Sequence, residues 1–388
     1  MQYDFDTVYD RSGTHSLKYK SHPHYPNETL IPLWVADMDF KTAPEIIDAL
    51  RKATEHGIFG YTVPDEAYFN SLLCWNQKRF HFDVKEEWVT PCEGVMSGIA
   101  AALSALSAEG DAVLIFQPVY HLFDHVLRDN KRRIIVSELQ YDGKKYVIDY
   151  DDFERKVIEN DVKILLFCSP HNPVGRVWSR EELARVTAIC LQHNVLIISD
   201  EIHSDLTFQP HIPTASLSDA VADITVALTS VTKTFNLAGI QGANLIIPNG
   251  KIRALVEARL RAQCSGGPGI MSLAAAKAAY QHGENWLDAL LGYLQGNIDY
   301  VILSFAGTKI KPIIPQGTYL MWLDCRNLGL CDKELEEFFI KKCGVWMNSG
   351  YIFGKGGSGF MRMNVACPRA TLEKAVHAIL QNTESNWR

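Results

Sequence analysis

Lys233 stands in Leu228-Thr229-Ser230-Val231-Thr232-Lys233-Thr234-Phe235-Asn236, just past an apolar run and among hydroxyls rather than acids. A free lysine has a pKa of about 10.4, so to capture a carbonyl carbon it must be buried or set near other positive charge. Taken alone, this is an ordinary surface lysine. Other residues change that reading. Asp200 closes the run Val195-Leu196-Ile197-Ile198-Ser199 and leads into Glu201-Ile202-His203. Asn172 follows Val162-Lys163-Ile164-Leu165-Leu166-Phe167-Cys168, in a turn stiffened by Pro170, Pro173 and Gly175. Tyr120 follows Ala112-Val113-Leu114-Ile115-Phe116 by way of Gln117-Pro118-Val119. Gly94 opens an alanine-rich helical stretch, so the amides of Gly94, Val95 and Met96 are unpaired donors at its positive end.

The elements behind these groups follow a pattern. Strands are predicted at 112–116, 134–139, 162–168, 195–199 and 224–229, and a buried helix over 94–108. Ser179-Arg180-Glu181-Glu182 is a capping box that opens a further helix. Short apolar runs alternating with helices between about 84 and 280 signal βαβ units, hence an α/β fold with a mostly parallel sheet flanked by helices. Open sheets of this kind bind ligands at the carboxyl ends of their strands, where all these groups converge. Past residue 282 come a long helical stretch to about 305, a strand at 319–324, a helix at 332–342, a strand at 360–366 and a last helix, which read as a smaller α+β unit. Pro23, Pro26, Pro32 and Pro44 mark the first 45 residues as an extended arm that packs on this unit or on a partner. The expected division is 1–45 as an arm belonging to the small domain, 46–281 as the large domain and 282–388 as the small one.

Composition excludes several classes. Lys+Arg 38 against Asp+Glu 45 leaves a formal charge of -7, so no global basic field draws nucleic acid or an anionic membrane. No run is long enough to span a bilayer, and MQYDFD lacks the basic and apolar regions of a signal peptide. The nine cysteines form no CxxC pair, which fits a reducing, cytoplasmic setting and no metal site. Two motifs mislead. Gly354-Lys355-Gly356-Gly357-Ser358-Gly359 satisfies G-x-G-x-x-G but runs into a strand instead of opening a helix, so it is read as a loop. His121 and His125 have metal-ligand spacing without the glutamate of HExxH, so a packing or surface role is expected.

A lysine to hold an aldehyde as a Schiff base, a carboxylate to keep a ring nitrogen protonated, an aromatic to stack, a polar group for a phenolic oxygen and a helix N-terminus for phosphate together describe pyridoxal phosphate. HNPVG, SDEIHSD and SVTKTFNLAG, at their relative spacings, resemble the aspartate-aminotransferase fold type of pyridoxal-phosphate enzymes over essentially the whole chain. Trp34-Val35-Ala36-Asp37-Met38-Asp39-Phe40, Glu201-Ile202-His203-Ser204-Asp205, Thr232-Lys233-Thr234-Phe235-Asn236-Leu237-Ala238-Gly239 and Asn348-Ser349-Gly350-Tyr351 are similar to the narrower MalY/PatB group of cystathionine β-lyases.

The resemblance implies that Lys233 bonds the cofactor and later moves protons, while Asp200 pairs with the pyridinium nitrogen. His203 and Asn172 would flank the phenolic oxygen, and Tyr120 would stack on the ring and meet the substrate. Gly94, Val95 and Met96 amides with Ser230 and Thr232 hydroxyls would take the phosphate, joined by Tyr61 from the second subunit of a homodimer. Arg362, in Met361-Arg362-Met363-Asn364, would grip the substrate carboxylate. The implied activity is α,β-elimination from a sulfur amino acid such as cystathionine or cysteine, giving pyruvate, ammonia and a thiol. An aminotransferase, and a regulatory member that binds another protein, are the alternatives. Gln241 stands where aminotransferases usually have an arginine eight residues after the lysine, and Glu93 precedes the phosphate loop with an opposing charge.

Overall fold

Seven strands form the main sheet of the computed structural model, which describes residues 3–385. Their lateral order is Val89–Cys92, Ala243–Ile246, Thr225–Thr229, Leu196–Asp200, Val162–Cys168, Ala112–Gln117 and Arg133–Glu138. Ala243–Ile246 runs against both of its neighbours, and the others share one direction. The central strands are buried on both faces because they are nearly unbroken apolar runs; only Lys163 is exposed in Val162–Cys168. In register, Asp200 lies opposite Cys168 on one side and Leu228 on the other. The segments that follow Cys168, Asp200 and Leu228 therefore leave the sheet at one level.

The helix Val95–Leu106 lies close against the sheet because its contact face is made of small residues: a Cβ on Gly98 would come within 2.7 Å of Leu228 Cδ2. The capping box forms as the sequence predicts: Ser179 Oγ accepts from the Glu182 amide at 3.2 Å, and Glu182 accepts from the Ser179 amide at 2.8 Å.

A second, four-stranded antiparallel sheet is ordered Lys311–Ile313, Leu320–Asp324, Phe360–Asn364, Asn348–Ser349. The helices Glu284–Ser304 and Arg369–Ser385 accompany it, and Asn297 on the first donates to the Val365 and Cys367 carbonyls. The arm is bonded to this part of the chain: Ile31–Pro32 pairs in parallel with Val345–Trp346, the Asp39 amide donates to Ala366 O at 2.9 Å, and Trp34 stacks on Trp346.

In the main sheet two strands exceed what the sequence predicts. Val89–Cys92 and Ala243–Ile246 are each four residues long, and the first contains Pro91, tolerated because that strand is an edge. The helix expected over 332–342 is α-helical only across Asp332–Glu337 and widens into a π-turn over Phe338–Lys342. Among the described residues no helix is long and apolar enough to cross a membrane.

Candidate active site

At the shared strand edge a cavity is lined by Ala36, Val95, Met96, Tyr120, Cys168, Asn172, Asp200, Ile202, His203 and Lys233. Seven of the residues singled out in the sequence thus meet in one place. Ser230 caps the single helical turn Val231–Thr234 that carries Lys233: its hydroxyl accepts from the Thr232 amide, pairs with the Thr232 hydroxyl at 2.8 Å and donates to Gly242 O at 2.6 Å. Gly94 precedes the helix Val95–Leu106 in extended conformation, leaving that N-terminus open toward the cavity wall formed by Val95 and Met96.

The electrostatics are those of buried charge. Burial lowers the Lys233 pKa to about 8, with Asp37 and Asp200 opposing and Arg362 reinforcing the shift; its Nζ donates to Ala36 O at 2.7 Å. Burial raises the Asp200 pKa to about 7, against the pull of the Ile202 amide at 3.1 Å and of Lys233. Glu201 turns away from the cavity, accepting from the Ser199 hydroxyl and the Thr214 amide and facing His211 at 3.3 Å. His203 is kept neutral, its pKa pushed down to about 3 by burial and by the Lys233 and Arg362 cations, and its Nδ1 is buried with no hydrogen-bond partner. Burial lifts the Tyr120 phenol to about 12.

Arg362 reaches this edge from the second sheet. Its Nη1 donates to Asn172 Oδ1 at 3.0 Å, and its Nη2 donates to Asn348 Oδ1 at 2.6 Å and Trp34 O at 2.9 Å. Its Nε is buried without a partner, and burial brings its pKa down to about 10.

Other singled-out residues lie apart. Tyr61 is fully exposed on the chain after the helix Pro44–His56, beside exposed Ile58, Phe59 and Val63. Glu93 directs its carboxylate to the Gly266 amide at 3.0 Å, which accounts for an acid next to a helix N-terminus. Gln241 is exposed. His121 packs edge-on against Tyr120 and Phe353, and no cluster of three or more potential metal ligands occurs among the described residues. The glycine-rich loop forms a 3-10 turn over Lys355–Gly357 and enters the strand Phe360–Asn364, as expected of a loop.

Residue reasoning missed the role of Asn236, Asn364 and the Ala36 carbonyl. Asn236 Nδ2 donates to Met38 O and Phe40 O, and Asn364 Nδ2 donates to Val35 O and Asp37 O, fixing the chain that lines the cavity. A backbone acceptor leaves no trace in a sequence; an asparagine three residues past the key lysine was the available signal.

These donors suit one chemical group. The Asp200 carboxyl accepts a single hydrogen bond from the chain, His203 Nδ1 has none, the Lys233 amine is held near its deprotonation point, and a Cβ at Gly94 would find its nearest neighbour at 4.0 Å. A pyridine nitrogen, a phenolic oxygen, an aldehyde and a phosphate fill those vacant valences, so the residues fit pyridoxal phosphate. A sheet edge with this set defines a pyridoxal-phosphate protein of the aspartate-aminotransferase fold. The chain belongs to the aminotransferase class I and II family, which matches residues 28–379. It is 40% identical over 381 residues to cystathionine beta-lyase PatB of Bacillus subtilis (strain 168), covering 97% of this chain and 98% of that protein. It is 34% identical over 385 residues to protein MalY of Escherichia coli (strain K12), covering 97% and 98%. Cystalysin from Treponema denticola, solved with pyridoxal 5'-phosphate, superposes with a TM-score of 0.96 at 35% identity, covering all of both chains. Within the family the chain therefore falls in the MalY/PatB group.

Proposed function

We propose that the protein is a pyridoxal-phosphate-dependent carbon–sulfur β-lyase that converts L-cystathionine or related S-substituted cysteines to pyruvate, ammonia and a thiol. The observation that carries this reading is that a buried lysine with a pKa near 8 shares its cavity with Asn172, and that Asn172 accepts from an arginine with one vacant donor. The likeness to PatB along the whole chain supports it.

When bound, the cofactor supplies the electron sink for the bond broken at the substrate α carbon. The chain does the rest. Asp200 stabilises a protonated ring nitrogen, and a cation there returns its carboxyl to the ionised form that burial disfavours. His203, neutral at physiological pH, offers Nδ1 to the phenolic oxygen beside Asn172. The amides at Gly94, Val95 and Met96 receive the phosphate, the Ser230 and Thr232 hydroxyls join them by turning from Gly242 O and from each other, and Tyr120 covers the ring. Arg362 presents Nε to the substrate α-carboxylate while Asn172 and Asn348 fix the plane of its guanidinium. Lys233 takes the α proton as a free amine, a form that its lowered pKa makes far more accessible near neutrality than in an exposed lysine. The pair left on the α carbon closes the Cα–Cβ double bond as the Cβ–S bond breaks, and sulfur leaves with its electrons as thiolate.

Residues 46–281 contain the whole seven-stranded sheet, 282–388 contain the four-stranded one, and the arm bonds to the latter, which supports the division into large and small domains. The exposed apolar stretch Ile58–Val63 supports a homodimer in which Tyr61 completes the second subunit's phosphate site. The cysteines are all free, as a reducing cytoplasm would leave them.

The test is the visible spectrum of the purified protein followed by L-cystathionine, with pyruvate and free thiol assayed together. Equal yields of both are expected. A yellow protein that releases neither product but transfers the substrate's amino group to an added keto acid would overturn the lyase assignment in favour of an aminotransferase.

A further inference from the structure

The segment Trp34–Asp39 crosses the cavity as a strap with little secondary structure of its own, and its carbonyls turn inward to the groups that matter most. Trp34 O accepts from Arg362 at 2.9 Å and Ala36 O from Lys233 at 2.7 Å, while Met38 O accepts from Arg11, on the far side, at 3.1 Å. What holds the strap from the far side is a closed set of four charges. Arg11 bonds Asp37 at 2.9 Å and Asp39 at 2.7 Å; Lys18 bonds Asp39 at 2.8 Å and lies 3.7 Å from Asp37. Two cations balance two carboxylates, and the Lys18 side chain is 0% exposed. The Lys18 carbonyl accepts from Trp34 Nε1 at 3.1 Å, so the same residue grips both ends of the strap.

A desolvated ion cluster is an inefficient way to add stability, because apolar side chains of similar size would serve as well or better. It is effective at fixing a geometry, since each member has one arrangement in which all charges are met. We propose that the Arg11–Asp37–Lys18–Asp39 cluster is a positioning device: it sets the strap so that Trp34 O and Ala36 O hold Arg362 and Lys233 where substrate meets them. Lys18 and Arg11 touch neither substrate nor cofactor and act through the strap. The proposal rests on the lyase reading for its choice of substrate, but not for its geometry.

The test compares Lys18→Met with Lys18→Arg. In Lys18→Met, amide exchange at Met38 and Asp39 should accelerate about tenfold or more with or without cofactor, because those amides are bonded to Asn236 Oδ1 and Ala366 O only while the strap is seated. KM for L-cystathionine should rise about tenfold while cofactor affinity stays within about twofold of the parent. Lys18→Arg, which keeps the charge on a slightly longer side chain, should restore both readouts. Faster exchange with unchanged KM would reduce the cluster to a structural role, and a parallel loss of cofactor affinity would mean general collapse of the site; either overturns the proposal. If Lys18→Met does not fold, Arg11→Met, at the more exposed corner, must show the same two effects in smaller measure, and their absence refutes the idea. If the parent protein releases no thiol, the lyase reading fails by itself; L-alanine, which has no β leaving group, then reports substrate-side affinity through the change it causes in cofactor absorbance.

Discussion

Replacing Asp200 by asparagine should stabilise the cofactor-free protein, and by an amount that depends on pH in a defined direction. Burial raises the Asp200 pKa from 3.8 to about 7. Between those values the folded chain retains a proton that the unfolded chain has released, so the contribution of this group to stability falls as pH climbs through the window. Above pH 7 the deficit is complete, and the gap between the two pKa values corresponds to roughly 4 kcal/mol at 1.36 kcal/mol per pH unit. Lys233 runs the other way. Its pKa is lowered from 10.5 to about 8, so between those values the unfolded chain holds the extra proton and stability rises with pH. Together they place a trough in the stability of the cofactor-free protein between about pH 7 and 8.

Asparagine at position 200 is neutral at every pH and can still accept from the Ile202 amide. It forgoes the attraction to Lys233, which trims the gain, so Asp200→Asn should add roughly 2–4 kcal/mol at pH 8 and almost nothing near pH 4. Urea unfolding of both cofactor-free proteins across that range measures it. An increment equal at both ends, or absent at pH 8, would refute the view that a desolvated carboxylate sits at the strand edge. In the loaded enzyme the sign should reverse, with turnover falling by ~10²-fold or more, because the charge then has the partner it was buried to meet.

Two further substitutions test the substrate side and the subunit contact. Arg362→Lys keeps the charge but replaces a fork with two nitrogens already committed to Asn172, Asn348 and Trp34 by a single ammonium. It should cut kcat/KM by ~30–1,000-fold, mostly through KM, with cofactor affinity near that of the parent in a spectroscopic titration; equal losses in both would refute its placement on the substrate side. Tyr61→Ala should weaken cofactor binding about tenfold, and mixing it with Lys233→Ala should restore up to about a quarter of the active sites, since one of the two sites of a mixed dimer then draws an intact Lys233 from one subunit and an intact Tyr61 from the other. A fully active monomer, or no complementation, would refute the shared site.

The strand ends were legible because parallel strands buried on both faces are written as apolar runs, and the residue after such a run is where ligands bind. Asp200, Asn172, Tyr120 and Lys233 could be ranked on that ground alone. Arg362 could not, since it enters from another sheet about 190 residues away from Asn172 in sequence, and only its motif pointed to it. The strap was invisible as a device because its working atoms are carbonyls, which every residue has. Edge strands of four residues, one of them with a proline, carry too little pattern to stand out. The glycine-rich loop shows how letters mislead: a Cβ on Gly357 would fall 2.0 Å from Gly350 O, so that glycine answers to close backbone approach beside Asn348 and not to a phosphate.

Asp200, Lys233 and Arg362 are each shifted by burial toward the neutral form, which a protein selected only for stability would avoid. Their missing partners fall into two sets. A cationic ring nitrogen would satisfy Asp200, and a phenolic oxygen would satisfy His203; a carboxylate would satisfy Arg362 Nε. The two sets are joined mainly at Asn172, which lines the cavity and accepts from Arg362. Cofactor loading should therefore relieve the first set and leave the second strained, so that substrate binding adds a further increment of stability. Substitutions on the strap and at Arg362 should diminish that second increment while sparing the first, and Asn172 is the position at which one substitution should diminish both.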